Sequence, residues 1–497
     1  MVSALLILAL ARVVTAQSVD TAAVDRIVNE ALRTWRVPGA AVAIVQNDRV
    51  VYAKGYGVKE SGGSAPVGAD TLFHIGSTTK AFTTTAMAML VDEKKLDWDD
   101  PVRKHLDYFR LSDPCADSLV TLRDITSHRT GLSRHDELWD NTPLTRDQLI
   151  RSVSSIKLAK PFRSAYQYQN IMFITAGEAV ASAAKMPWND FVRTRIFEPL
   201  GMTHTRVTIA DWLASDHAFG HRIDKPGDRV VVQTLVDDDN LAPAGAIKSS
   251  ARDMAQWVRL QLGDGTFDGK RLVSATALNE THMPQTVIRL EASIRESNPE
   301  TLLEAYGLGW VVQDYRGELL VSHGGALNGF RAHVDLLPNQ KSGFVVLINL
   351  GRSSATAAIR NSLLDLLLGK PGARDWNSYY LALERKSDDK DEAKKRERDV
   401  KRRPDAKPSR ELAAYAGTYT NPAYGAATIT ADNGGLVLHW MRLTLPLAHY
   451  QYDTFDAHSD VDDVDEQLAF RLGLDGEVNT LTLFGEEFAR ESLVVSH

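Results

Sequence analysis

From Glu384 to Arg410 the chain reads "ERKSDDKDEAKKRERDVKRRPDAKPSR", a run of 27 residues with almost no apolar side chain. Such a run cannot line a core. Whatever precedes it and whatever follows it must each close a hydrophobic interior of its own. The 497 residues therefore divide into a long part ending near residue 383, the charged segment 384–410, and a short part, 411–497. Acidic residues interleave the Lys and Arg of the run, so it reads as a solvated helix or linker and not as a patch for nucleic acid. A formal net charge of -7 adds no general attraction to polyanions, and no nucleic-acid partner is expected.

The short part consists of strand-like stretches such as "GAATITADNGGLVLHW" and "QLAFRLGLDGEVNTLTLFG", separated by turn residues. It reads as a small all-β sheet or barrel. The long part begins with "TAAVDRIVNEALRTWRV", whose Val24, Ile27, Val28, Ala31 and Trp35 recur at helical spacing until Pro38-Gly39. A hairpin follows around Gln46-Asn47-Asp48-Arg49. Strands return in "GELLVSHGG", "FRAHVDLLP" and "GFVVLINL", with mainly helical patterns between. Strands at both ends of a helical middle predict an α+β fold whose antiparallel sheet joins distant parts of the chain.

The first residues, "MVSALLILALARVVTAQ", carry an apolar run and then Val14-Thr15-Ala16, which suits an export signal over 1–16 cleaved after Ala16. The run is too short for a stable membrane span, and Arg12 interrupts it. The expected location is periplasmic or extracellular. A lone Cys115 allows no internal disulfide.

Three stretches carry chemistry. In "HIGSTTKAFTTTAMAML", Ser77 and Lys80 lie three residues apart at the start of a helix whose consecutive threonines require burial to persist. A serine hydroxyl becomes a nucleophile when a neighbour takes its proton, and a buried lysine can do so once its pKa falls. A second Ser-Xaa-Xaa-Lys, Ser154 to Lys157, lies in a polar stretch and is discounted. In "AYQYQNIMFITAGEAV", Tyr168 offers a proton relay beside an ammonium, and Asn170 an amide to hold the lysine or a substrate. The same spacing at Tyr419 to Asn421 falls in the short part. In "VSHGGALNGF", His323 offers a cation or donor, Gly324 and Gly325 a close backbone approach, and Ala326 an N-H for an oxyanion. Lys341-Ser342-Gly343 reads as a turn.

Other hydrolytic chemistries lack their signatures. There is no His-Glu-Xaa-Xaa-His and no Gly-Xaa-Ser-Xaa-Gly. His128 and His135 flank a Gly-containing loop and read as structural hydrogen-bonding residues. "GDGTFDGKR" lacks the glycine and hydroxyl positions of a phosphate loop, and the acidic run at 459–467 lacks the Gly and the terminal Glu of a calcium loop.

Taken in order, Ser77-Thr78-Thr79-Lys80, Tyr168-Gln169-Asn170 and His323-Gly324-Gly325 resemble the active-site motifs of the penicillin-recognising serine hydrolases. The relatives concerned are class C β-lactamases, D-alanyl-D-alanine carboxypeptidases, D-aminopeptidases and esterases. "LRDITSHRTGL" and "APAGAIKSSARDM" also look like the family, and the short part resembles its appended lipocalin-like domain. The resemblance implies acylation of Ser77, proton movement by Lys80 and Tyr168, substrate orientation by Asn170, and an oxyanion hole from the N-H groups of Ser77 and Ala326. It implies no cofactor and no metal. Where many β-lactamases have Lys-Thr-Gly this chain has His-Gly-Gly, a variant of the peptidase and esterase relatives, which argues against strong β-lactamase activity. The expected substrate is a small peptide, ester or β-lactam. A D-amino-acid-type peptidase or carboxypeptidase leads the alternatives, ahead of an esterase, a weak class C-like β-lactamase and a non-catalytic peptide or cell-wall-fragment binder.

Overall fold

The computed structural model describes residues 19–491 apart from 141, 225–228, 433 and 460–463. The leader lies outside the described residues. Helix α1 (Thr21–Trp35) starts where the Asp20 carboxylate accepts from Ala23 N, and it ends at Arg36 in the left-handed region. Strands β1 (Gly39–Gln46) and β2 (Arg49–Gly57) follow, joined through Asn47 and Asp48, both at positive φ as a two-residue hairpin demands.

The helical middle contains α2 (Thr79–Asp92), α3 (Asn170–Ala184) and α4 (Ala251–Leu262). The chain then returns to the sheet as β3 (Thr286–Val287), β4 (Glu304–Tyr306), β5 (Val311–Tyr315), β6 (Glu318–Leu327), β7 (Phe330–Leu337) and β8 (Ser342–Ile348). The order across the sheet is β2-β1-β8-β7-β6-β5-β4-β3, antiparallel throughout. Ala40 pairs with Ile348, so the two ends of the long part do meet in one sheet.

Both faces of that sheet are covered. On β1, Ala40, Val42 and Ile44 pack with α1 and with α5 (Ala355–Leu367), while Ala41, Ala43 and Val45 face the layer of α2 and α4. This is why β1 reads as an unbroken apolar run, because alternation disappears when each face meets helices. Burial also explains the threonines of α2: Thr83, Thr84 and Thr85 have no exposed surface, and Thr83 Oγ1 donates to Pro243 O at 2.6 Å.

Helix α6 (Trp376–Lys401) takes in most of the charged run. Only Trp376 and Tyr380 are buried; beyond them Glu392 pairs with Arg396 and Glu397 with Lys401, one turn apart. The expected boundary at Glu384 falls inside this helix. Composition marks where burial stops, and the helix runs on because Lys, Glu and Arg are good helix formers.

Eight strands from Gly417–Asn421 to Glu486–Arg490 then form a closed barrel in sequence order, the last pairing with the first at Tyr419 and Arg490. Its interior holds Tyr419, Trp440, Phe455, Phe470 and Phe488. The barrel meets the larger body at Tyr424, whose hydroxyl lies 2.7 Å from His135 Nδ1.

Candidate active site

Ser77 sits in a single 3-10 turn, Gly76 to Thr78, that leads into α2. Gly76 has φ of 52°, and a Cβ there would lie 2.5 Å from Ala326 N. A Cβ on Gly325 would lie 1.9 Å from Ile75 O. The serine turn and β6 are in backbone contact, and these two glycines are what permit it. Gly324 is under less constraint, its nearest neighbour being the His333 ring at 3.4 Å.

β6 and β7 are joined by Asn328 and Gly329, both at positive φ, so the flanking pair Leu327–Phe330 is hydrogen-bonded and the next, Ala326–Arg331, is not. The N-H and C=O of Ala326 therefore point away from β7. On that side β5 stops pairing at Ser322, which leaves a short open edge beside Ser77.

Lys80 has no exposed surface. Its Nζ lies 3.0 Å from Ser77 Oγ and donates to Asn170 Oδ1 and to Ala244 O, both at 2.7 Å. Three partners suit either protonation state. An ammonium donates to all three; a neutral amine donates to Asn170 and Ala244 and turns its lone pair to the Ser77 hydroxyl. Burial holds the Lys80 pKa well below that of a free lysine, and the positive charge of Arg134 lowers it further.

The ring of Tyr168 lies 4.8 Å from Lys80 Nζ and 4.9 Å from the Arg134 guanidinium carbon. Burial pushes the Tyr168 phenol up, against a downward pull from its hydrogen bond to Ser77 and from Arg134. At neutral pH it is a proton donor. Asn170, first residue of α3, spends its amide on two neighbours: Oδ1 accepts from Lys80 and Nδ2 donates to Asp136 Oδ1 at 3.1 Å.

His323 is 5% exposed and both ring nitrogens are engaged. Nδ1 donates to Gly324 O at 2.6 Å, so Nε2 accepts from the Tyr306 hydroxyl at 2.9 Å. Burial lowers its pKa to about 3, helped by the charge of Lys80, and the ring is neutral at physiological pH. The charged His323 that the sequence allowed is not what these contacts favour. His128 likewise accepts from Gln169 N at Nδ1 and packs its ring on Tyr168 and Tyr306, with centroids 4.3 and 4.5 Å away.

The sequence motifs thus converge: Ser77, Lys80, Tyr168 and Asn170 share one cluster, and β6 brings Gly325 and Ala326 against the serine turn. The discounted matches stay outside it. Ser154 donates to Arg151 O on the surface, Lys341 occupies a turn, and Tyr419 OH donates to Tyr415 O inside the barrel. Arg134, Asp136 and Tyr306 were not anticipated. Arg134 and Asp136 follow "LRDITSHRTGL" by a few residues, so the signal available was a charged pair just beyond a family-like stretch.

A nucleophile-bearing turn, a buried lysine and a sheet edge in this arrangement define a serine hydrolase of the β-lactamase and penicillin-binding-protein type. The chain belongs to the Beta-lactamase family, whose model matches residues 24–368, and residues 401–495 match a Domain of unknown function (DUF3471). It is 32% identical to unguisins hydrolase ungD' of Aspergillus campestris, over 82% of this chain and 77% of that protein. Protein flp of Staphylococcus aureus is 26% identical over 66% of this chain and 62% of its own length. Among solved structures, the octameric penicillin-binding protein homologue from Pyrococcus abyssi superposes with a TM-score of 0.64 at 22% identity, covering 95% of this chain and all of that one. A class C beta lactamase from Rhodobacter sphaeroides gives 0.55 at 24% identity, over 70% of this chain and 99% of its own. These superpositions establish the fold.

Proposed function

We propose that this hydrolase cleaves amide bonds in small peptides through an acyl-enzyme on Ser77, as a D-amino-acid-type peptidase or carboxypeptidase. The observation that carries the reading is the fully buried Lys80 amine held between Ser77 Oγ, Asn170 Oδ1 and Ala244 O, with no carboxylate among the described residues in direct contact. As the serine oxygen attacks the substrate carbonyl, its proton passes to the neutral amine. The N-H groups of Ser77 and Ala326 receive the oxyanion, each such donor being worth about 100- to 1,000-fold in rate. Tyr168 gives its proton to the departing nitrogen and recovers one from Lys80. A water then enters, and the same groups run in reverse to release the acid.

The name of the fungal relatives, hydrolases of unguisins, supports hydrolysis as the reaction class. An ester substrate is the second reading, favoured by the neutral His323, which offers no charge to a carboxylate. Export rests on the leader alone; no helix among the described residues is long and apolar enough to cross a membrane.

Incubation with a fluorophosphonate or a penicillin, followed by peptide mapping, should place one adduct on Ser77. Screening D-amino-acid peptides, esters and β-lactams then ranks the substrates. Labelling that persists in Ser77→Ala would overturn the assignment.

A further inference from the structure

Arg134 carries no proton in the scheme above, yet its charge acts on Lys80 and its guanidinium lies over the Tyr168 ring. Its side chain is 58% exposed, and its guanidinium carbon lies 4.9 Å from the Tyr168 ring centroid. Nε is fixed by Asp136 Oδ2 at 2.6 Å, and Asp136 is itself held through Oδ1 by Asn170 Nδ2 and by Trp139 Nε1. Neither terminal nitrogen of Arg134 has an acceptor among the described residues. One edge of the guanidinium is thus tied down and positioned, and its other donors are open. That is the geometry in which arginine takes a carboxylate through two parallel hydrogen bonds.

We propose that Arg134 forms a carboxylate subsite on the leaving-group side of Ser77, so that the enzyme prefers peptides whose departing residue carries a free carboxylate. The side follows from Tyr168: the phenol that bonds Ser77 is the group that meets the departing nitrogen, and Arg134 flanks its ring. In a single departing amino acid the α-carboxylate is two bonds from that nitrogen. His323 cannot take the role, because its ring nitrogens are occupied by Gly324 O and Tyr306. Asp136 and Glu137 lie beside Arg134 in sequence; Asp136 covers the Nε edge and helps to exclude an anion from anywhere but the open donors.

The inference rests on the reading of Ser77 and Tyr168 given above, and two measurements keep the two apart. The first compares kcat/KM for N-acylated D-alanyl-D-alanine and for related N-acyl dipeptides, each as free acid and as C-terminal amide, in wild type and in Arg134→Gln and Arg134→Lys. The acid should be preferred by about 10- to 100-fold in wild type, the preference should collapse in Arg134→Gln, and Arg134→Lys should retain part of it. Because the arginine is exposed, added salt should weaken the preference. The second measures calorimetric binding of the same acid and amide pairs to Ser77→Ala and to Ser77→Ala/Arg134→Gln, where no turnover is needed. Acid-selective binding that depends on Arg134, without acylation of Ser77 in the wild type, would sink the catalytic reading and leave the subsite standing. Equal handling of acids and amides by the wild type, or an acid preference that survives Arg134→Gln, overturns the subsite.

Discussion

Lys80 and Lys248 are both without exposed surface, and one short strand pair links them, for Phe73–His74 leads into the Ser77 turn and His74 pairs with Lys248. Their surroundings differ in charge. Lys248 Nζ donates to Asp238 Oδ1 at 2.7 Å and to Val207 O at 2.9 Å, and Asp238 Oδ2 lies 3.1 Å from His74 Nδ1. Lys80 touches a hydroxyl, an amide oxygen and a backbone carbonyl; the Asp136 carboxylate is hydrogen-bonded to Asn170 instead, and its charge acts on Lys80 only across that distance, as the smallest of the causes that set the Lys80 pKa. A buried ammonium without an anion in contact gives up its proton readily, whereas one in contact with a carboxylate is held as an ion pair. Burial supplies both lysines; the presence of a counter-ion decides which becomes a strut and which a base.

Replacing each lysine by methionine should separate them most sharply. Lys80→Met should lower kcat/KM by about a thousandfold or more, since it removes the group that takes the serine proton. Lys248→Met should instead cost about 3–5 kcal/mol of stability by stranding Asp238, while the molecules that fold keep most of their kcat. Adding Asp238→Asn should recover part of that loss, which denaturant melts of the single and double variants would read. A Lys248→Met enzyme of normal stability and crippled kcat would break the comparison.

The same contrast has a signature in pH. Because the Lys80 pKa is depressed on folding, the unfolded chain binds more protons between that value and the free-lysine pKa, so the stability of wild type relative to Lys80→Met should rise with pH across this window. In kinetics the same deprotonation gives kcat/KM an acid limb that climbs as Lys80 becomes neutral. With a neutral ester, which leaves any carboxylate contact out of play, Arg134→Gln should move that limb to higher pH by removing a like charge. Lys248→Met should leave it in place. A limb that ignores Arg134 would mean that the titrating group is not Lys80.

A smaller effect tests how tightly the base depends on its serine. In Gly325→Ala the new Cβ would meet Ile75 O and press on the turn that aligns Ser77 with Lys80, so kcat should fall by about ten- to a hundredfold. Gly324→Ala meets only the His333 ring at van der Waals distance and should change kcat by less than about tenfold. Equal losses would indicate that backbone contact with the serine turn is not what β6 supplies.

What the sequence disclosed follows from the same physics. Ser77 with Lys80, and Tyr168 with Asn170, stand at helix starts ahead of apolar runs, where local spacing fixes geometry, and the structure brings them together. The antiparallel sheet was legible because strand patterns at both ends of the long part had no other partner. The barrel was legible because its strands are short and its turns carry Gly, Asn and Asp. Arg134 and Tyr306 were hidden, since a side chain in an irregular loop or a three-residue strand has no period to announce it. His323 was expected as a cation or donor because sequence carries no burial; the structure surrounds it with Tyr306 and the Gly324 carbonyl and makes the neutral ring the stable form. Lys248 lay inside a stretch already noted as family-like, but its counter-ion, Asp238, is supplied by a segment with no pattern of its own.

The smallest expected effect concerns the barrel, whose apolar residues share a core cluster with the larger body and whose Tyr424 hydroxyl is hydrogen-bonded to His135 on the Lys80 side. His135 Nε2 lies 2.9 Å from Ser133 Oγ and its Nδ1 2.7 Å from Tyr424 OH, and the residue next to it, Asp136, holds Asn170. His135 stands at φ of 47°, in the left-handed region, which His enters more readily than most non-glycine residues. Tyr424→Phe removes one of the His135 contacts and leaves the barrel core aromatic. Loss of a single partly buried hydrogen bond, worth about 0.5–1.5 kcal/mol, should loosen the 133–136 loop and change kcat/KM by a few-fold at most, while melts of Lys248→Met and wild type keep their separation. Limited proteolysis gives the complementary reading. The exposed part of α6 beyond Leu383 and the segment to Arg410 should be cut first, and if the barrel is an independent unit it should survive as a folded fragment. A cut enzyme with the kinetics of Tyr424→Phe would assign the barrel's whole influence to that contact, and one that loses activity outright would show that the barrel supports the Lys80 side by more than the His135 hydrogen bond.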